Sequence, residues 1–198
     1  MTPDFHTEVQ KLRQRVGSHG RTDDEDWWRV GGVVTALEQF LIKLGPQDWS
    51  DDDVTDLLFV LEQSSTSYIA ELFGQDEETL LALARHSLAR GGVASDDLAE
   101  QLQYCVGHRD EAESLLLAFL GDSHERTRRM ALLSLAALQS SSVPALAEAA
   151  WNTGDEYQRM GALSALKTVG SDLFPIYLAK AFEDGRQNLL ALARRYQD

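Results

Sequence analysis

"SHERTRRMALLSLAALQSSSVPALAE", residues 123–148, returns thirty-one positions on as "GDEYQRMGALSALKTVGSDLFPIYLAK", residues 154–180. At that offset Glu125 falls on Glu156, Arg128 on Arg159, Ala131 on Ala162, Leu132 on Leu163, Leu135 on Leu166, Pro144 on Pro175 and Ala150 on Ala181. The apolar matches recur at three and four residues, the spacing of one face of a helix. Short helices in antiparallel succession cannot each bury such a face alone; they must stack on neighbours to make a continuous core. The repeated positions are those that stacking uses. Ala131 and Ala162 are small enough for helices to approach closely, Leu135 and Leu166 fill the layer, and Pro144 and Pro175 occupy a first turn that can spare an N–H.

The same helical spacing recurs in Val54, Leu57, Leu58 and Leu61, in Leu80, Leu83, Ala84 and Leu88, and in Leu116, Phe119 and Leu120. Thr22 with Glu25, Ser50 with Asp53, Asp122 with Glu125 and Thr153 with Glu156 each set a capping oxygen three residues before an acid. Trp49, just before Ser50, is placed to pack on Val54 as a hydrophobic staple. Gly17, Gly45, Gly74, Gly107, Gly121 and Gly170 mark helix ends. The pattern predicts an all-α chain, an α-solenoid of about eleven short antiparallel helices. It forms one domain over 1–198, with acidic N-terminal helices over 1–75 and repeats over 76–198.

At "LLLAFLGDSHERTRRMALLSL", residues 115–135, the chain resembles the HEAT-repeat family of armadillo-like α-solenoids. An apolar first helix, a turn aspartate and a second helix with Arg and Ala at set spacing are matched by Asp122, Arg128 and Ala131. The next copy keeps Arg159 and Ala162 with Thr153 at the aspartate position, and a third begins at Asp184 with Leu190 in place of the arginine. The resemblance implies that these arginines join turn aspartates between helices and are structural. It implies a fold and no chemistry.

Catalytic chemistry finds little to work with. His6, His19, His86, His108 and His124 make no pair at metal-ligand spacing, and one cysteine cannot build a zinc site. Iron-binding repeat hydroxylases of the resembled superfamily use several His-Glu pairs, whereas His124–Glu125 stands alone here. No phosphate-binding glycine loop occurs, and Gly31 with Gly32 in "VGGVVTAL" points to close helix packing or a kink. Cys105 sits on the apolar side of a helix with Leu102 and Val106, a small buried hydrophobe in a reducing compartment. The expectation is a protein without catalytic residues, metal or cofactor. A cytoplasmic location is expected too, because there is neither a signal-like apolar core nor an apolar run long enough for a membrane.

Charge carries the functional signal. Of a formal net charge of −14, residues 1–100 hold 20 acids and 8 bases, and 101–198 hold 12 acids and 10 bases. So acidic a chain repels nucleic-acid backbones. The acids cluster at predicted helix starts: Asp23, Asp24 and Asp26 beside Trp27 and Trp28; Asp51, Asp52 and Asp53; Asp76, Glu77 and Glu78. One or two acids suffice for a cap and a helix dipole. Three or four adjacent carboxylates repel one another, and alternating helices are expected to bring the second and third clusters to one edge with a sustained negative field. The expected partner is therefore a basic protein docked on these residues. The most concrete version is a bacterial-type immunity protein that fills the basic cleft of a toxin such as a nuclease. A second reading is an adaptor whose C-terminal groove, made mildly basic by Arg126, Arg129, Lys167, Arg194 and Arg195, holds a peptide. A third is a lyase-like protein clasping a chromophore at Trp27 and Trp28.

Overall fold

The computed structural model of the chain describes residues 4–19, 31–64 and 67–197, and among them are twelve α-helices, two single-turn 3-10 helices and no strand. The chain is all-α, with two compact units, 1–98 and 99–198.

The first unit holds α1 (Phe5–His19), α2 (Gly31–Lys43), α3 (Asp51–Gln63), α4 (Ser67–Phe73) and α5 (Glu77–Ala89). Phe5, Val9 and Leu12 of α1 lie a helical turn apart and are buried with Val33, Ala36 and Leu37 of α2 and Val54, Leu57, Leu58 and Leu61 of α3. Each of the buried Val, Leu and Phe side chains stabilises the unit by about 1.5 to 3 kcal/mol. Gly32 belongs to this packing, because a Cβ there would lie 2.6 Å from Glu8 Oε2 of α1. α3 starts on a full capping box, with Ser50 Oγ accepting from Asp53 N–H at 3.2 Å and the Asp53 carboxylate accepting from Ser50 N–H at 2.7 Å. Trp49, half-buried, donates its indole N–H to the Leu44 carbonyl at 3.3 Å and so closes the connection between α2 and α3.

In the second unit the copied interval becomes geometry. After α6 (Ser95–Gln101) and a 3-10 turn, α7 (Arg109–Phe119) pairs with α8 (Glu125–Ala137), α9 (Val143–Asn152) with α10 (Glu156–Thr168), and α11 (Phe174–Asp184) with α12 (Gln187–Arg195). The second helices begin at 125, 156 and 187, so the thirty-one-residue step runs into the third hairpin although its residues diverge. α10 packs on both α8 and α12. Ala131, Leu132 and Leu135 and their counterparts Ala162, Leu163 and Leu166 are buried in those contacts. Both copies end alike: Ser140 N–H bonds the Leu135 carbonyl and Ser171 N–H the Leu166 carbonyl, each at 3.0 Å, across a left-handed residue, Gln139 or Gly170.

Two capping expectations need correction. The N-cap of α8 is His124 and that of α10 is Asp155, whose carboxylate accepts from Gln158 N–H at 2.9 Å. Glu125 and Glu156 instead reach to the next second helix. Glu125 Oε1 accepts from Gln158 Nε2 at 3.1 Å, and Glu156 Oε1 accepts from the N–H groups of Asn188 and Leu189 at 2.9 and 3.1 Å. The acid repeats because it ties each hairpin to the following one. Cys105 is fully buried, as its neighbours predict, but it closes the 3-10 turn rather than lying within a helix, and Val106 beside it is exposed.

Candidate functional site

The arginines that the repeat preserves are structural. Arg128 donates from Nη1 to the carbonyls of Asp122 and Ser123, each at 2.8 Å. Arg159 donates from Nε to the Trp151 carbonyl at 3.0 Å, lies over the Trp151 ring and pairs with the largely covered side chain of Asp184, which Arg186 holds from another side at 2.6 Å. Hydrogen bonding from Arg186, and then from Arg159, keeps the Asp184 carboxyl well below the usual carboxylate range in spite of its burial.

The acids at the start of α3 divide into two sets. Asp53 is only 7% exposed and faces inward, where it meets both its cap and His6 Nε2 at 3.0 Å. Burial raises its carboxyl, but the Ser50 hydroxyl and N–H, together with His6, outweigh that and hold it below its ordinary value. Asp56, one turn on, accepts from Arg13 at 2.8 Å and contacts His6 Nδ1 at 2.8 Å, fastening α1 to α3. Asp51 and Asp52 are exposed. Asp51 pairs with Arg90 at 2.9 Å, and Asp52 borders a recess of about 410 Å³ shared with His6, Gln10 and Arg13.

At the start of α5, Asp76 is the N-cap and accepts from Thr79 N–H at 2.9 Å, Glu77 is half-buried and Glu78 is exposed. The two clusters do not meet at one edge. Arg90 closes the C-terminal end of α5, and its pairing sets Asp51 there, whereas Asp76, Glu77 and Glu78 occupy the N-terminal turn of the same thirteen-residue helix. At 1.5 Å per residue the two ends are about 20 Å apart, more than twice the screening length at physiological salt. Asp23, Asp24, Asp26, Trp27 and Trp28 lie outside the described residues.

Beside Asp76 is a groove that sequence reasoning missed. It holds about 450 Å³ between α2, α4 and α5, with Glu38, Leu41, Ile42, Tyr68, Leu72 and Asp76 along it. Ile42 is 77% exposed and Tyr68 48%, and the Tyr68 hydroxyl donates to Glu38 Oε1 at 3.2 Å. A signal was present. Val33, Ala36 and Leu37 define the buried stripe of α2, and position 42 falls off it, so an isoleucine there has no core to serve.

On the second helices, Arg129 pairs with Glu125 at 2.9 Å and lies 5.6 Å from the Tyr157 ring centre, Lys167 Nζ lies 3.9 Å from that of Tyr196, and Arg126, Arg194 and Arg195 are exposed. Among the described residues no group of three His, Cys, Asp or Glu side chains is arranged to hold a metal, and no helix is long and apolar enough to cross a membrane.

Residues 94–167 match the family model for HEAT repeats. The segment is a run of HEAT repeats. No curated protein and no solved structure matches the chain. The HEAT match takes in α6 to α10, including the Arg128 contacts and the tie from Glu125 to Gln158. HEAT repeats are typically non-catalytic and typically serve protein interaction.

Proposed function

We propose that the protein acts by binding a basic protein through its acidic N-terminal half, in the manner of an immunity protein that occludes the active cleft of a toxin such as a nuclease. The observation that carries this reading is the asymmetry of charge: 20 acids against 8 bases in residues 1–100, with Asp51, Asp52 and Glu78 exposed to solvent. Inward-facing Asp53 and Asp56 are occupied in holding α1, so the outward field comes from the remaining acids. Such a field accelerates encounter with a positive cleft, while close apolar contacts slow release. The setting is cytoplasmic, where a toxin would have to be neutralised before it reached its substrate.

The test is capture from the native host at low salt, identification of the bound protein by mass spectrometry, and assay of that protein's own activity during titration with this chain. The proposal expects a protein with a basic cleft whose activity falls to zero at a simple molar ratio. A captured protein that is acidic, or basic but fully active when saturated, contradicts it. An adaptor reading is favoured by the aromatic and basic side chains of the second helices, Arg129 with Tyr157 and Lys167 with Tyr196, which suit an acidic segment. An acidic partner would favour that alternative.

A further inference from the structure

We propose that the groove between α2, α4 and α5 is the docking site for a basic amphipathic segment of the partner, an extension that rests on the protein-binding reading above. Ile42 and Tyr68 leave apolar surface in water, and both line the groove, whose volume of about 450 Å³ lies within the range of ligand-sized clefts. Leu41 and Leu72 continue the apolar lining, while Glu38 and Asp76 place carboxylates along it. Apolar side chains interspersed with carboxylates give the groove a mixed lining, as protein interfaces have. The charge selects the occupant: an apolar side chain settling against Ile42 and Leu72 would carry its lysine or arginine neighbours to Glu38 and Asp76. Neither carboxylate is consumed by its present role. Glu38 accepts one hydrogen bond from Tyr68 and Asp76 one from Thr79 N–H, and a carboxylate has about four acceptor positions. An acidic segment would be repelled, and a purely polar basic one would leave Ile42 uncovered.

The experiment titrates the full chain with three synthetic helical peptides: leucine with lysine at helical spacing, serine replacing the leucines, and glutamate replacing the lysines. Affinity is followed by fluorescence anisotropy and the site by amide chemical shifts. The leucine-lysine peptide is expected to shift resonances of Ile42, Tyr68, Leu72 and Thr79, and to bind roughly tenfold or more tightly than either control. Ile42→Ser and Glu38→Lys, each checked for an unchanged melting profile, should weaken it by a similar factor. The groove is refuted if the leucine-lysine peptide does not bind, if its shifts fall elsewhere, if the serine-lysine peptide binds equally well, or if Ile42→Ser changes nothing. A partner slowed by Asp52→Lys and Glu78→Lys but indifferent to Ile42→Ser removes the groove and leaves the acidic reading intact. Failure to capture any basic partner removes that reading, while the peptide titration still decides the groove.

Discussion

Arg159 and His6 are both charged tethers, and their dependence on pH runs in opposite directions. Arg159 and Arg186 lower the folded-state pKa of Asp184 below its ordinary 3.8, so their stabilisation is present above that value and is lost as pH falls through the depressed one. Asp184→Asn should reduce stability near neutral pH by about 1 to 3 kcal/mol, as expected for charge-assisted hydrogen bonds. In urea titrations the gap to the wild type should narrow between about pH 5 and about pH 2. His6 is raised above its ordinary 6.5, first by its hydrogen bond to Asp56 and further by the charges of Asp56 and Asp53, with burial opposing. Its contribution is full below 6.5 and disappears as pH rises through the raised value. His6→Gln should therefore melt below the wild type at mildly acid pH and with it at alkaline pH. A difference that stays constant with pH would show that the His6 clamp carries no charge.

The helices of the second unit show what the period encodes and what it leaves out. Ala131 and Ala162 could be assigned to close helix approach because stacking repeats the same small residue at the same place, and both are fully buried. Ala162→Trp should overpack that contact and cost more than about 1 to 3 kcal/mol, with Ala149→Glu on an exposed position of α9 costing far less. Equal urea midpoints for the two would contradict the register. The left-handed turn offers a finer test. Gly170, with φ of 63°, is matched by Gln139 with φ of 56°, whose side-chain amide donates to the Thr168 carbonyl at 3.2 Å and so reaches the end of the next second helix. Gly170→Ala should cost about 1 to 2 kcal/mol. Gln139→Gly relieves the backbone but removes that hydrogen bond, and the two effects should nearly cancel, leaving a change below about 1 kcal/mol. Such ties were not legible in the sequence. Glu125 and Glu156 looked like caps because spacing describes a residue's own helix, and Gln158 receives no mark from periodicity. In the first unit, Ser50 with Asp53 was legible because a capping box is local, whereas the pairing of Asp51 with Arg90, which separates the acidic clusters, depends on a partner thirty-nine residues away.

For the whole molecule, the excess of acid in residues 1–100 is the property proposed to select a partner, and fold and charge can be separated experimentally. Asp53 and Asp76 should be left intact, since losing a cap costs about 0.5 to 2 kcal/mol. Asp52 and Glu78 are exposed in the first turns of α3 and α5, so lysine there costs only the helix-dipole term, about 0.3 to 1 kcal/mol each, a loss that Asp52→Asn with Glu78→Gln calibrates by melting. The most direct measurement of the central claim is the association rate of the isolated partner with the wild type and with the Asp52→Lys, Glu78→Lys variant across a salt series. The account predicts a wild-type rate that falls as salt shortens the screening length toward about 8 Å, and a variant slower by roughly tenfold at low salt, the two converging as salt rises. Rates that coincide at every salt concentration would contradict it and leave the acids as solvated surface.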